Sequence, residues 1–181
     1  MGGPGRTPAE AVDALEEAIP VIRALWSTER GLRVGGDHYA LDGVHGGPPP
    51  AHDIGIWLGA IGPRMLAVTG RLADGWVPSL PIVPPDQLLA KHDLIDAAAA
   101  DAGREPDAIR RIYNVGGTIT DGETGDGPLE GPVDKWVDTL TSFVTDLRMD
   151  TFILTLDADW PTQLRRFAED VVPGVRDALS R

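Results

Sequence analysis

The segment Gly59-Ala60-Ile61-Gly62-Pro63 has the residue types of a backbone anion cradle. It joins an apolar run to a proline that can open a helix, and a helix N-terminus leaves amide N–H groups without intrahelical acceptors. Such amides attract phosphate, and glycine lets a ligand come close to the main chain. Arg64 follows directly and can add positive charge or face solvent. Val77 and Ser79 end a second short apolar run, where a serine hydroxyl can donate a hydrogen bond to a ligand. Gly116-Gly117, at the end of a third such run, is a rival anion cradle. Other chemistry is thin. There is no cysteine, which removes disulfides, thiolate metal sites and a cysteine nucleophile. His38, His45, His52 and His92 lack zinc-like spacing. His38 falls in a hairpin, and His92 on a helix face that reads as exposed. The stretch from Asp121 to Gly127 lacks the spacing and terminal glutamate of a calcium loop and reads as a solvated connection.

The elements that must position these residues follow from local pattern. Thr7-Pro8-Ala9-Glu10 is a capping box with proline at the first helical position. Apolar residues then recur at helical spacing and predict a helix over about 8–27, with a kink or break at Pro20. Residues 32–34 and 38–41 flank Gly35-Gly36-Asp37 and predict a β-hairpin. The run 54–60 lacks alternation and suits a strand buried on both faces. Helices are predicted over 64–73, 86–102, 133–147 and 161–179, with a further helical turn over 107–111. Strands are predicted over 76–80, 112–119 and 151–156, with Pro78 ending or bulging the first. Residues 121–132 read as a glycine-rich acidic loop. Strand and helix thus alternate four times after the hairpin, which is the pattern of parallel α/β architecture.

Composition bounds the function. Over 181 residues, 42% hydrophobic content is enough for a real core. No apolar run approaches a membrane span, and MGGPGRTPAE is not a secretory signal, so a cytoplasmic protein is expected. A net charge of −12 speaks against nucleic acid and anionic membranes as partners. Arginine greatly outnumbers lysine, which occurs only as Lys91 and Lys135.

Two ordered segments go further. Ile56 to Leu66 (IWLGAIGPRML) and Thr69 to Ser79 (TGRLADGWVPS) together resemble the central signature of the luciferase-like monooxygenase superfamily. The helix ending Ile22-Arg23-Ala24-Leu25-Trp26-Ser27, the hairpin carrying Gly36-Asp37-His38-Tyr39, and the pair Thr151–Leu154 with Phe167–Pro173 extend the resemblance over nearly the whole chain. Members are FMN-dependent monooxygenases and coenzyme F420-dependent reductases. The resemblance implies an incomplete TIM-type (β/α)₈ barrel: residues 1–181 form one unit, its four strands being the fifth to eighth, with the N-terminal half absent. It implies FMN or coenzyme F420 as cofactor, with Gly59, Ala60, Ile61, Gly62 and Pro63 at its phosphate or ribityl chain. Val77 and Ser79 would border cofactor or substrate. Ring-facing groups come from the family's N-terminal half, so no catalytic residue is assigned. The expected role is a fragment or subunit of an oxidoreductase, inactive alone. The alternative is a non-catalytic assembly half that completes a barrel as a homodimer or with a separate N-terminal half.

Overall fold

The computed structural model describes residues 5–156 and 159–181, in two compact units. The first unit comprises residues up to Leu58, Gly62–Gly75 and Leu94–Ile109. Its helix α1 (Pro8–Leu25) begins as the capping box requires: the Thr7 hydroxyl accepts from the Glu10 amide, and the Glu10 carboxylate accepts from the Thr7 amide. Pro20 lies inside α1 without breaking it, because its position is exposed and neighbouring Ile19 and Val21 are buried. Strands β1 (Leu32–Gly35) and β2 (Ala40–Val44) form the antiparallel hairpin. The Glu17 carboxylate holds its turn, accepting from the backbone amides of Asp37, His38 and Tyr39.

Strand β3 (Trp57–Leu58) is followed by α2 (Pro63–Leu72). Ile19, Leu58, Val68 and Ala73 form the buried core of this unit, with Val12, Leu15, Ile56 and Leu72 against it. Gly70 lets two helices meet: a Cβ there would lie 2.3 Å from the Ile95 carbonyl oxygen. The Arg104 guanidinium ties down the C-terminal end of α2, donating to the carbonyls of Gly70 and Ala73.

The expectation that 54–60 is buried on both faces is corrected. Leu58 and Ala60 are buried, whereas Ile54, Trp57 and Ile61 are each nearly half exposed. The run is apolar throughout, but only one set of its side chains has packing partners.

The second unit comprises Gly59–Ile61, Trp76–Asp93 and Arg110–Arg181. Its sheet runs β4 (Gly75–Trp76), β5 (Arg110–Ile119) and β6 (Glu130–Gly131), with β7 (Thr151–Leu156) also paired to β5. The pairings of β5 with β6 and β7 are parallel, as is the isolated bridge between Ser79 and Asn114. The N–H groups of Asn114, Thr118 and Thr120 all point to one edge of β5, where they meet Pro78, Leu129 and Gly131. β6 therefore extends the edge that the Ser79 segment begins. Sequence pattern placed a loop at β6, since a two-residue strand just before Pro132 shows no alternation.

Behind the sheet lie α4 (Val133–Thr145), α5 (Trp160–Arg166) and α6 (Val172–Leu179), α5 and α6 being joined by a π-helical stretch over Phe167–Val171. Tyr113 meets Phe143 edge-on, Phe143 packs against Phe152, and Trp136 meets Phe167. Helix α3 (Leu88–Asp101) follows a short 3₁₀ turn at Pro85–Gln87, so it starts later than its sequence suggests. The expected turn over 107–111 is shorter too, covering Pro106–Ala108, with Arg110 and Arg111 already in β5.

Candidate functional site

Gly62 is the N-cap of α2, with φ −79° and ψ 154°, and Pro63 is its first helical residue. Among the described residues no side chain caps this end, and its first turn carries no acidic residue. The amides of the first turn therefore present partial positive charge without a protein anion competing for it. Nothing among the described residues lies within 4 Å of the position a Gly62 Cβ would take. Packing explains the glycines at 70 and 117, and it does not explain this one. A glycine N-cap in open space leaves the backbone approachable by a ligand. Arg64 does not point at such a ligand. Its guanidinium pairs with Asp13 and donates to the Ala9 carbonyl.

Gly59, Ala60 and Ile61 belong to the second unit, as do Val77 and Ser79. The carbonyl of Val77 is 3.6 Å from the Gly59 Cβ position, an ordinary contact that places these two segments side by side. The Ala60 carbonyl accepts from Trp76 Nε1 at 2.9 Å, and the Ile61 carbonyl from Lys91 Nζ at 3.0 Å. Trp76 is wholly buried, with its ring edge-on to His92 at 5.1 Å between centroids. His92 is itself buried, and its Nε2 lies 3.0 Å from the Leu147 carbonyl. The exposed face expected for His92 is thus corrected: α3 is alanine-rich, so its sequence marks no single buried stripe.

Ser79 sits two residues beyond Val77 and joins a different group. Its hydroxyl accepts from Asn114 Nδ2 at 3.2 Å, and the Thr155 hydroxyl donates to Asn114 Oδ1 at 3.2 Å. This hydrogen-bonded row crosses the Ser79 segment, β5 and β7. It lines a cavity of about 410 Å³ together with Gly116, Gly117 and Glu130. As a phosphate cradle, Gly116-Gly117 fares poorly. A Cβ at Gly117 would fall 1.9 Å from the Leu129 carbonyl oxygen, so close strand approach accounts for the glycine. Glu130 also lines this cavity, and its carboxylate accepts from the Gly127 amide. Tyr113 lies in this unit's core, donates to the Val83 carbonyl, and has its phenol pushed up by burial, with Asp86 adding to the shift.

A larger cavity in the first unit, about 620 Å³, is lined by Arg23, Trp26, His52 and Asp74. It also touches Ile54 and Gly55, which precede β3, whereas barrel chemistry occurs after the strands. Arg23 there is already paired with Asp74. Chain direction therefore outweighs cavity size, and the loop after β3 is the better candidate. Lys91, Asn114, Thr155 and Glu130 were not singled out from sequence. For Lys91 a signal existed, because lysine is so scarce in this chain.

The family profile described as luciferase-like monooxygenase matches residues 1–124. The phthiodiolone/phenolphthiodiolone dimycocerosates ketoreductase of Mycobacterium tuberculosis (strain ATCC 25618 / H37Rv) is 39% identical over 101 residues, which span 54% of this chain and 26% of that protein. The F420-dependent hydroxymycolic acid dehydrogenase of the same strain is 35% identical over 100 residues, 55% of this chain and 27% of that protein. The chain thus aligns with about a quarter of the length of these curated relatives. Among solved structures, an F420-dependent secondary alcohol dehydrogenase in complex with an F420-acetone adduct superposes with TM-score 0.80 at 15% identity. That match covers 98% of this chain and 66% of the other. A long-chain alkane monooxygenase gives TM-score 0.74 at 14% identity, covering 97% and 58%. These two likenesses show a shared fold, the α/β architecture of the TIM-type barrel of which this chain forms part. With the profile matched over more than half its length and the β3–α2 loop built as described, the chain belongs to the luciferase-like monooxygenase family.

Proposed function

We propose that this chain carries the cofactor-phosphate loop of a flavin- or coenzyme F420-dependent oxidoreductase and acts as a fragment or subunit of a completed barrel. The observation that carries the reading is Gly62, an uncapped glycine N-cap in open space immediately after the β3 loop. Such a backbone fits a phosphate ester, which both cofactors bear. Gly59, Ala60, Ile61, Gly62 and Pro63 would hold that end, and Val77 and Ser79 would border cofactor or substrate. When bound, the cofactor ring supplies the redox chemistry, and the chain's own residues bind and orient it. F420-dependent relatives make F420 the first cofactor to test and ketone–alcohol interconversion the first reaction to test in the completed barrel. A cytoplasmic setting accords with described helices too short or too polar to cross a membrane. Fluorescence titration of the purified chain with F420 and with FMN tests the reading. Binding tighter than ~1 mM is expected for at least one, and weaker binding of both overturns autonomous cofactor binding.

A second reading is a non-catalytic assembly half, and one observation favours it. Ile153 and Thr155 of β7 are exposed on the sheet face opposite the packed Phe152. Parallel sheets are ordinarily covered on both faces. Under this reading the face is completed by a second copy or by a separate N-terminal half. Sedimentation at tens of micromolar should then show a dimer, or a heterodimer when the missing half is added; a persistent monomer that binds no cofactor counts against it.

A further inference from the structure

We propose that Ser79 and Asn114 form a binding site for the oxygen of an uncharged carbonyl compound, with Thr155 positioning Asn114. The inference deepens, and rests on, the reading that Ser79 borders substrate. All three residues lie within the second unit. Alternation along β5 turns Tyr113 and Val115 into the core and leaves Asn114 and Gly116 on the other, partly exposed face. Main-chain pairing fixes Ser79 beside Asn114. The Asn114 amide donates to the Pro78 carbonyl and the Leu80 amide to the Asn114 carbonyl, both at 2.9 Å. Thr155 stands opposite Gly116 in the β5–β7 register. A Cβ at Gly116 would lie 3.0 Å from the Thr155 carbonyl oxygen and 3.7 Å from the Thr155 Cβ. The glycine keeps that space clear, and the Thr155 hydroxyl reaches Asn114 diagonally across it.

A hydroxyl has one O–H and a side-chain amide two N–H, so the hydrogens of this row have few places to go. The Thr155 O–H goes to Asn114 Oδ1. With Oδ1 so engaged, Asn114 presents Nδ2 to Ser79, and one N–H goes to Ser79 Oγ. The Ser79 O–H therefore points away from Asn114. Neither it nor the second Asn114 N–H has an acceptor among the described residues. Two donor atoms 3.2 Å apart thus belong to residues that line the cavity of about 410 Å³. A carbonyl oxygen, with two lone pairs and no hydrogen, is their complement. Accepting from the amide also polarises the Ser79 O–H and strengthens it as a donor. Charge narrows the class of ligand. No lysine, arginine or histidine is among the described residues lining the cavity, and the carboxylate of Glu130 accepts from the Gly127 amide. The volume suits a small molecule. Ser79 and Asn114 are the binding residues, and Thr155 acts through Asn114 as a positioning residue.

The test uses tetrahydropyran-4-one and 4-methylenetetrahydropyran, which differ only in C=O against C=CH₂. Both are titrated into the full chain and read on the Asn114 side-chain amide and the backbone amides of Val115 and Gly116. The wild type is expected to bind the ketone about threefold to tenfold more tightly, the worth of one neutral hydrogen bond. Ser79→Ala should bring that ratio close to one and leave binding of the alkene unchanged. Asn114→Asp should do the same, because a carboxylate has no N–H and draws the Ser79 hydrogen to itself. Adding Ser79→Ala to it should then cost nothing more. Thr155→Val should lower the ratio, and Thr155→Ser should restore it. If Asn114→Asp and Thr155→Val weaken both compounds equally, the row is only structural and the proposal is overturned. A ratio that survives Ser79→Ala overturns it, as does a wild type that binds both compounds equally or neither. F420 and FMN are titrated separately. Cofactor binding without ketone preference sinks only this site, and ketone preference without cofactor binding sinks only the cofactor-loop reading.

Discussion

Replacing Gln163 by leucine should unseat the end of β5. The Gln163 side chain is 9% exposed and acts as a strand substitute. Its Oε1 accepts from the Ile119 amide at 2.7 Å, and its Nε2 donates to the Ile119 carbonyl at 3.1 Å. Ile119 is itself buried. Leucine fills similar volume but supplies neither bond. The Ile119 carbonyl keeps a donor, Arg166 Nη1 at 2.9 Å. Its amide is left without the Gln163 acceptor, and a stranded buried donor costs about 1–3 kcal/mol. A loss of about 2 kcal/mol is therefore expected. With a urea m-value of ~2 kcal/mol/M, that moves the midpoint of this unit's transition down by about 1 M. Amide exchange at Ile119 should accelerate in parallel. Arg166→Met alone should cost less, and the double variant should lose at least ~0.5 kcal/mol more than the sum, because each side chain backs up the other on one carbonyl. A Gln163→Leu variant that loses under ~0.5 kcal/mol and keeps slow exchange at Ile119 would refute the reasoning.

Two further predictions concern the first unit. Gly70→Ala puts a methyl 2.3 Å from the Ile95 carbonyl oxygen and 2.9 Å from the Ala98 Cβ. Backbone cannot yield cheaply, so a loss of ~1–3 kcal/mol in thermal or urea unfolding is expected, against near-neutrality if α2 and α3 can separate. The Glu17 carboxyl lies below its ordinary range, chiefly because the His38 amide donates to it, with Asp37 and Tyr39 adding and desolvation opposing. A depressed folded pKa means the contribution is complete above the unfolded carboxylate range and is lost as pH falls through the folded value. Hairpin amides 37–39 should therefore lose exchange protection on acidification, and Glu17→Gln should remove that pH dependence; an unchanged acid profile in the variant would show that another group carries it.

Much of this protein is written locally. The capping box at Thr7 and Glu10 forms as read, since both partners lie within one helical turn. The strand over 151–156 and the helix after Pro63 also lie where β-branched runs and proline place them, because those signals act between near neighbours. The family resemblance came from the same kind of information, an ordered string of residue types between Ile56 and Ser79. Tertiary structure decided the rest. His92 is buried by a partner 55 positions away, and no periodicity in an alanine-rich helix announces that. Gly117 is a strand-approach glycine, and its likeness to an anion cradle dissolves only when Leu129 is seen against it. Arg64 is turned from the loop by Asp13, 51 residues earlier. Lys91 is joined to the loop by a contact spanning 30 residues. Capping and periodicity are set within a turn or two of chain, whereas the direction of a charge or a carbonyl is set by whatever the fold brings beside it.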